Sequence, residues 1–270
     1  MSYTETDAGV IAFTREMLEV KIFRIREEMG RKAALDVSVT IRKLLGEKDE
    51  INVIFAAAPS QSDFLKELRA DPLIPWERIN AFHMDEYIGL EADAPQGFGN
   101  FLRERIFGKV QFKSVHYING LAEDISAECK RYAALLEQYP TDIVCLGIGE
   151  NGHIAFNDPP VADFDDPEMV KVVELELACR QQQVNENLFT GLDKVPTHAI
   201  TVTIPALLKA DRLFCMVPAK NKAKAVYRTL NGEIGEECPA SILRRKKGVV
   251  LYLDRESSSL LDMGSPAAVE

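Results

Sequence analysis

Six apolar runs of strand length, at residues 53–58, 79–82, 142–146, 200–202, 213–217 and 249–253, constrain this chain more than any other feature. They are continuous rather than alternating. A strand with one face in water alternates apolar and polar residues, whereas a continuous run suits a strand covered on both faces. Segments with helical rhythm lie between the runs. Ile125, Cys129, Tyr132 and Leu136 recur at spacings of four, three and four, one stripe of a helix, and Ser126 with nearby acids suits its first turns. Phe98, Phe101, Leu102 and Ile106 predict a shorter helix. Leu18, Ile22, Ile25 and Met29 predict another, stopping at Gly30. Strand and helix signals in alternation point to an α/β fold with a largely parallel central sheet flanked by helices. No repeat or low-complexity tract interrupts the pattern. Residues 158–167, rich in Pro and Asp, read as an irregular excursion. The expected organisation is one domain over residues 1–260 with a flexible tail at 261–270.

Composition narrows the partners. A formal net charge of −10 and a pI near 5.1 argue against a nucleic-acid partner, which wants a basic stripe. They leave an anionic substrate open, because a pocket needs only one or two local cations. The five cysteines show no C-x-x-C spacing, and Cys145 and Cys215 sit inside apolar runs, so reduced, buried thiols are expected. The start MSYTETDAGV lacks a basic stretch followed by an apolar core. No apolar run approaches the ~20 residues that span a bilayer. The expectation is a cytoplasmic protein without a membrane partner. The histidines are scattered without metal-ligand spacing, so no metal and no cofactor are expected.

Ligands of open parallel sheets sit beyond the carboxyl ends of the strands, and the polar, Gly-rich segments of this chain fall there. Residues 146–159 read LGIGENGHIAFNDP. Gly147, Gly149 and Gly152 permit close backbone approach, and His153 lies near an amide and a carboxylate. This is either an acid–base cluster built on a histidine of fixed tautomer or a tight turn whose polar groups satisfy its own backbone. Residues 82–90 read FHMDEYIGL. Neighbouring side chains of an extended segment point opposite ways, so one of Asp85 and Glu86 can face a pocket while the other makes a structural contact. The alternative is a solvated acidic turn. His83, His116 and His198 read as structural or exposed, and the basic run at 244–247 as a solvated turn.

Together, "MDEYIGL" and "GIGENGHIAFNDP" resemble the two signatures of the glucosamine-6-phosphate deaminase (isomerase) family, approximately "MDEYVGL" and "GxGxDGHIAFNEP". Their order and separation match, as do the intervening "YING", the downstream "VPTHAITV" and the "NKA" at a helix start, over about residues 10–260. The resemblance implies a Rossmann-like three-layer domain and a cofactor-free conversion of a 6-phosphorylated 2-amino sugar to a ketose phosphate and ammonia. It implies that Asp85 moves a proton between carbons 1 and 2. It further implies that His153, oriented by the residues at Asn151 and Asp158, opens the sugar ring. Lys222 matches a phosphate-contacting lysine. Ser60, Ser62, Glu86, Gly152 and Arg180 are further candidates for substrate contacts, with Arg180 the nearest candidate for a family arginine. The resemblance also allows a homo-oligomer.

Two departures accompany the match. Asn151 stands where the family has an acid, and Asp158 is one methylene shorter than the family's glutamate. Residues 57–62, AAPSQS, replace a Gly-rich phosphate turn, although Ser60 and Ser62 retain hydroxyls and helix-start amides remain available. The alternatives within the fold are a sugar-phosphate isomerase, a lactonase related to 6-phosphogluconolactonase, and a catalytically weakened regulatory paralogue.

Overall fold

The computed structural model describes residues 3–5 and 9–262. Most of the expected tail therefore lies outside the described residues. The strands are β1 (Thr4–Glu5), β2 (Ile11–Arg15), β3 (Leu18–Phe23), β4 (Ile51–Phe55), β5 (Ile79–His83), β6 (Asp85–Tyr87), β7 (Ser114–His116), β8 (Ile143–Leu146), β9 (Val170–Glu174), β10 (His198–Val202), β11 (Arg212–Val217) and β12 (Val249–Asp254). The helices are α1 (Arg26–Leu45), α2 (Ser62–Arg69), α3 (Phe98–Leu102), α4 (Ile125–Gln138), α5 (Leu177–Asn185), α6 (Ile204–Leu207) and α7 (Ala223–Asn231). Nine strands form one sheet in the order β1-β2-β3-β12-β11-β8-β4-β5-β7. From β3 to β7 all its pairings are parallel, and β1 and β2 add an antiparallel edge.

Both faces of this sheet are covered, as the continuous runs require. Ile51, Val53 and Phe55 of β4 join one core cluster with Met29, Val37 and Ile41 of α1 and Phe64 and Leu68 of α2. Ile54, pointing the other way, joins a second cluster with Tyr132 and Leu136 of α4 and Val226 and Leu230 of α7. At roughly 1.5–3 kcal/mol for each large apolar side chain buried, these two layers hold the sheet between them. Helix α4 starts where its rhythm predicts, and the Asp124 carboxylate caps it by accepting from Ala127 N at 2.9 Å.

The segment at 18–29 is corrected. Leu18 and Ile22 lie in β3, with Val20 buried between them, and the helix begins only at Arg26. A spacing of four satisfies period 2 as well as period 3.6, and the β-branched Val20 and Ile22 settle it for the strand. Gly30 does not end α1. It lies inside the helix, where a Cβ would come 2.9 Å from that of Asp63, so it is the point where α1 and α2 touch. The run at 200–202 is also a strand, but it belongs to a separate antiparallel sheet, β6-β10-β9. Arg244 is corrected as well. It is buried and donates to the carbonyls of Leu230 and Gly232 at 2.9 and 2.8 Å, so the basic run is only partly solvated. All five cysteines are free and buried. Among the described residues, no helix is long and apolar enough to cross a membrane.

Candidate active site

The order of the main sheet reverses at β4. The chain leaves β4 toward β5 and β7, then returns to place β8 on the other side of β4. Loops leaving β4 and β8 therefore part in opposite directions and open a crevice between the strand ends. Ala56, Ala57, Ala58 and Ser60 line it from β4; Gly147, Ile148, Gly149 and His153 from β8; and Met84 and Asp85 from β5. Lys222, just before α7, and Gln182, Gln183 and Glu186 of the α5 region complete the polar wall. Asp85 and His153, 68 residues apart in the chain, share this one cavity.

His153 is held from behind. Its Nδ1 lies 2.8 Å from Asn151 Oδ1 and 2.9 Å from Asp158 Oδ1. Asn151 Nδ2 donates to Asp158 Oδ1 at 2.9 Å and to Glu176 Oε2 at 2.7 Å. Two carboxylates on one side fix the amide nitrogen there and turn its oxygen toward the imidazole. Nδ1 then faces two acceptors and carries the proton, which leaves Nε2 as the basic nitrogen. The ring lies flat over Gly149, where a Cβ would come within 2.1 Å of it, so only glycine fits. Asp158 is fully buried. Burial opposes its ionisation, but the imidazole, the Asn151 amide and Glu176 N outweigh it and hold the carboxyl below the usual range. The charge absent at Asn151 is thus supplied by Asp158, and the amide bridges two acids that would otherwise repel.

Asp85 is placed differently. It opens β6 one residue after β5, between two fastened side chains, His83 and Glu86. His83, fully buried, donates from Nδ1 to the Asp85 carbonyl at 2.9 Å and accepts from Ile118 N at 2.9 Å. Burial pushes the His83 imidazole down to about 4, which keeps it neutral as this brace requires. Glu86 points away and accepts from the backbone N–H groups of Tyr87, Phe98 and Gly99 at 2.8–3.0 Å. The Asp85 carboxyl has no such support, and its Oδ1 is buried without a partner. Burial first, and the charge of Glu86 second, push it well above the usual carboxylate range.

Several expected contacts lie elsewhere. Glu86 caps the start of α3 and lines a neighbouring pocket. Ser62 opens α2 without lining the cavity. Gly152, at φ +96°, shapes the loop beside Cys238, whose Sγ a Cβ would meet at 2.7 Å. Arg180 turns from the cavity and donates to the carbonyls of Leu192 and Val195 at 2.8 and 2.9 Å, because those loop oxygens are the acceptors within its reach. Ser60 and Lys222 do line the cavity. Residues the sequence did not mark are Glu176, Gln182, Gln183 and Glu186. Only the Gln run after Arg180 carried any local signal for them. One cluster that could ligate a metal occurs among the described residues: ligand atoms of His153, Asp158 and Cys179 lie within 4.8 Å of one another.

The family profile described as "Glucosamine-6-phosphate isomerases/6-phosphogluconolactonase" matches residues 24–252. The chain belongs to this family. A curated relative, glucosamine-6-phosphate deaminase of Bacillus cereus (strain B4264), is 36% identical over 220 residues, covering 82% of each chain. The deaminase of Bacillus thuringiensis (strain Al Hakam) is 35% identical over the same span. A solved monomeric glucosamine-6-phosphate deaminase superposes with a TM-score of 0.81 at 32% identity, over 90% of this chain and 99% of that one. A 6-phosphogluconolactonase from Thermotoga maritima reaches 0.70 at 20% identity, over 88% and 99%, a likeness of fold alone. The family's three-layer α/β architecture, with its largely parallel sheet, is the one described above.

Proposed function

We propose that this member of the family is a glucosamine-6-phosphate deaminase, converting glucosamine 6-phosphate and water to fructose 6-phosphate and ammonia. The observation that carries the reading is the meeting of Asp85 and His153 in one cavity, the first unpartnered and buried, the second backed by a charged relay. His153 Nε2 takes the proton of the anomeric hydroxyl and returns it to the ring oxygen as the bond from carbon 1 to that oxygen breaks. The imidazolium formed in between is stabilised by Asp158, which acts as a positioning residue together with Asn151. Asp85, as carboxylate, removes the proton from carbon 2 of the open chain, and a proton returns to carbon 1. The nitrogen on carbon 2 is left as an iminium, water adds there, and ammonia leaves. A carboxyl with few hydrogen bonds in a dry site is a stronger base than an exposed one. Ser60 and Lys222 are the groups available to a phosphate handle, whose binding energy holds the reacting carbons in place.

The test is ammonia release from a panel of 6-phosphorylated 2-amino sugars, with ketose phosphate measured alongside. Equal amounts of both products from glucosamine 6-phosphate are expected. Ketose without ammonia from sugars lacking the amine, or binding without turnover, would contradict the reading.

A further inference from the structure

Lys222 is the cationic side chain on the cavity wall, and it is not free. It is buried, and its Nζ lies 3.3 Å from Glu186 Oε1, itself largely shielded from solvent. Gln182 Nε2 donates to that same oxygen at 2.9 Å while Gln182 Oε1 accepts from Glu150 N at 2.8 Å. Glu150 in turn accepts from Asn221 Nδ2 at 2.7 Å. The network thus ties the His153 loop, α5 and the turn before α7 around one ion pair. The handle end of the cavity contains one ammonium and one carboxylate, so it is close to neutral.

A phosphate that approaches Lys222 meets the Glu186 carboxylate as a like charge occupying the position of the ligand's own oxygens. Exchange of one anion for another leaves Lys222 paired throughout and avoids a lone buried charge.

From this arrangement we infer that Glu186 is a specificity-determining residue: its carboxylate is a built-in competitor for the phosphate of the substrate, displaced from Lys222 each time a sugar phosphate binds. The inference rests on the proposed function for the identity of the sugar, but the competition itself is with phosphate. Glu186 weakens binding of any phosphate-bearing ligand and rejects small anions unable to add contacts elsewhere in the cavity.

The experiment is a titration of inorganic phosphate into the wild-type protein, Glu186→Gln, Glu186→Ala and Lys222→Met, read by calorimetry and by the shift in melting temperature. Removing a like charge at contact range should tighten phosphate binding by about tenfold or more in both Glu186 variants. Phosphate should also raise their melting temperatures further than that of the wild type. Lys222→Met should abolish the binding. The KM for glucosamine 6-phosphate should fall in Glu186→Gln by a larger factor than kcat changes. Unchanged or weaker phosphate binding in both folded Glu186 variants overturns the inference. Tighter phosphate binding without ammonia release from any amino-sugar phosphate overturns the proposed function and leaves the competitor role standing.

Discussion

The two ends of the cavity proposed to handle protons are built on opposite plans. Around His153, Asn151, Asp158 and Glu176 form a chain in which the amide nitrogen serves two carboxylates and the imidazole nitrogen is fixed by two acceptors. Around Asp85 the backbone is fastened by His83 and the adjacent carboxylate is spent on three N–H groups, while Oδ1 is left buried and unpaired. The difference suits the two tasks proposed for them. A group that must hold a transient positive charge needs a pre-organised counter-charge. A group that must take a proton from carbon gains from having nothing else to bind.

The largest expected effect breaks the Asp85 side. Asp85→Asn should lower kcat by about 10⁴-fold and yet raise stability. The sign follows from the raised carboxyl. Below the ordinary value near 3.8 the buried neutral acid costs nothing extra, and as pH rises through the folded-state value that stability is lost. The variant should therefore melt about 3 °C above the wild type near pH 8, with the gap closing toward pH 4, as thermal melts across that range would show. Next comes the relay. Asp158→Asn removes the carboxylate paired with the imidazole and should cost about 10³-fold in kcat. It should destabilise as well, since a carboxyl held low in the folded state contributes stability above its ordinary value and loses it in acid. Kinetics combined with melts at pH 7 separate the two.

Asn151→Asp acts on the same relay. It would restore the acid that the family's signature carries, but here it would set a third carboxylate against Asp158 and Glu176 and remove their shared donor. The expected result is roughly tenfold lower activity and about 2 kcal/mol lower stability; a gain in activity would show that the amide is a defect of the relay. Glu176→Gln should have the smallest effect, about fivefold on kcat, because Asn151 keeps Asp158 as an acceptor.

Much of this was legible in the chain. Continuous runs such as 53–58 announced strands covered on both faces, and neighbouring Asp85 and Glu86 had to diverge because extended backbone alternates. What was illegible depended on distance or ambiguity. Leu18 and Ile22 fit either period, and it takes the β-branched Val20 and Ile22, with Val20 buried between its neighbours, to favour strand over helix. Nothing local to Ile200 says which sheet it joins. Arg180 was a candidate for a substrate contact, but it donates instead to the carbonyls of Leu192 and Val195. Glu186, unremarkable in sequence, reaches Lys222 across 36 residues. Glu176 gave no local sign that it would complete the relay.

On the proposed mechanism Asp85 draws hydrogen from carbon in the same cavity where His153 works on oxygen. Incubation of glucosamine 6-phosphate in deuterated water, with nuclear magnetic resonance following carbon 1 of the ketose phosphate, tests it most directly. The wild type should place deuterium at carbon 1 as ammonia appears, and Asp85→Asn should do neither. Deuterium incorporation and ammonia release by folded Asp85→Asn at the wild-type rate would contradict the account.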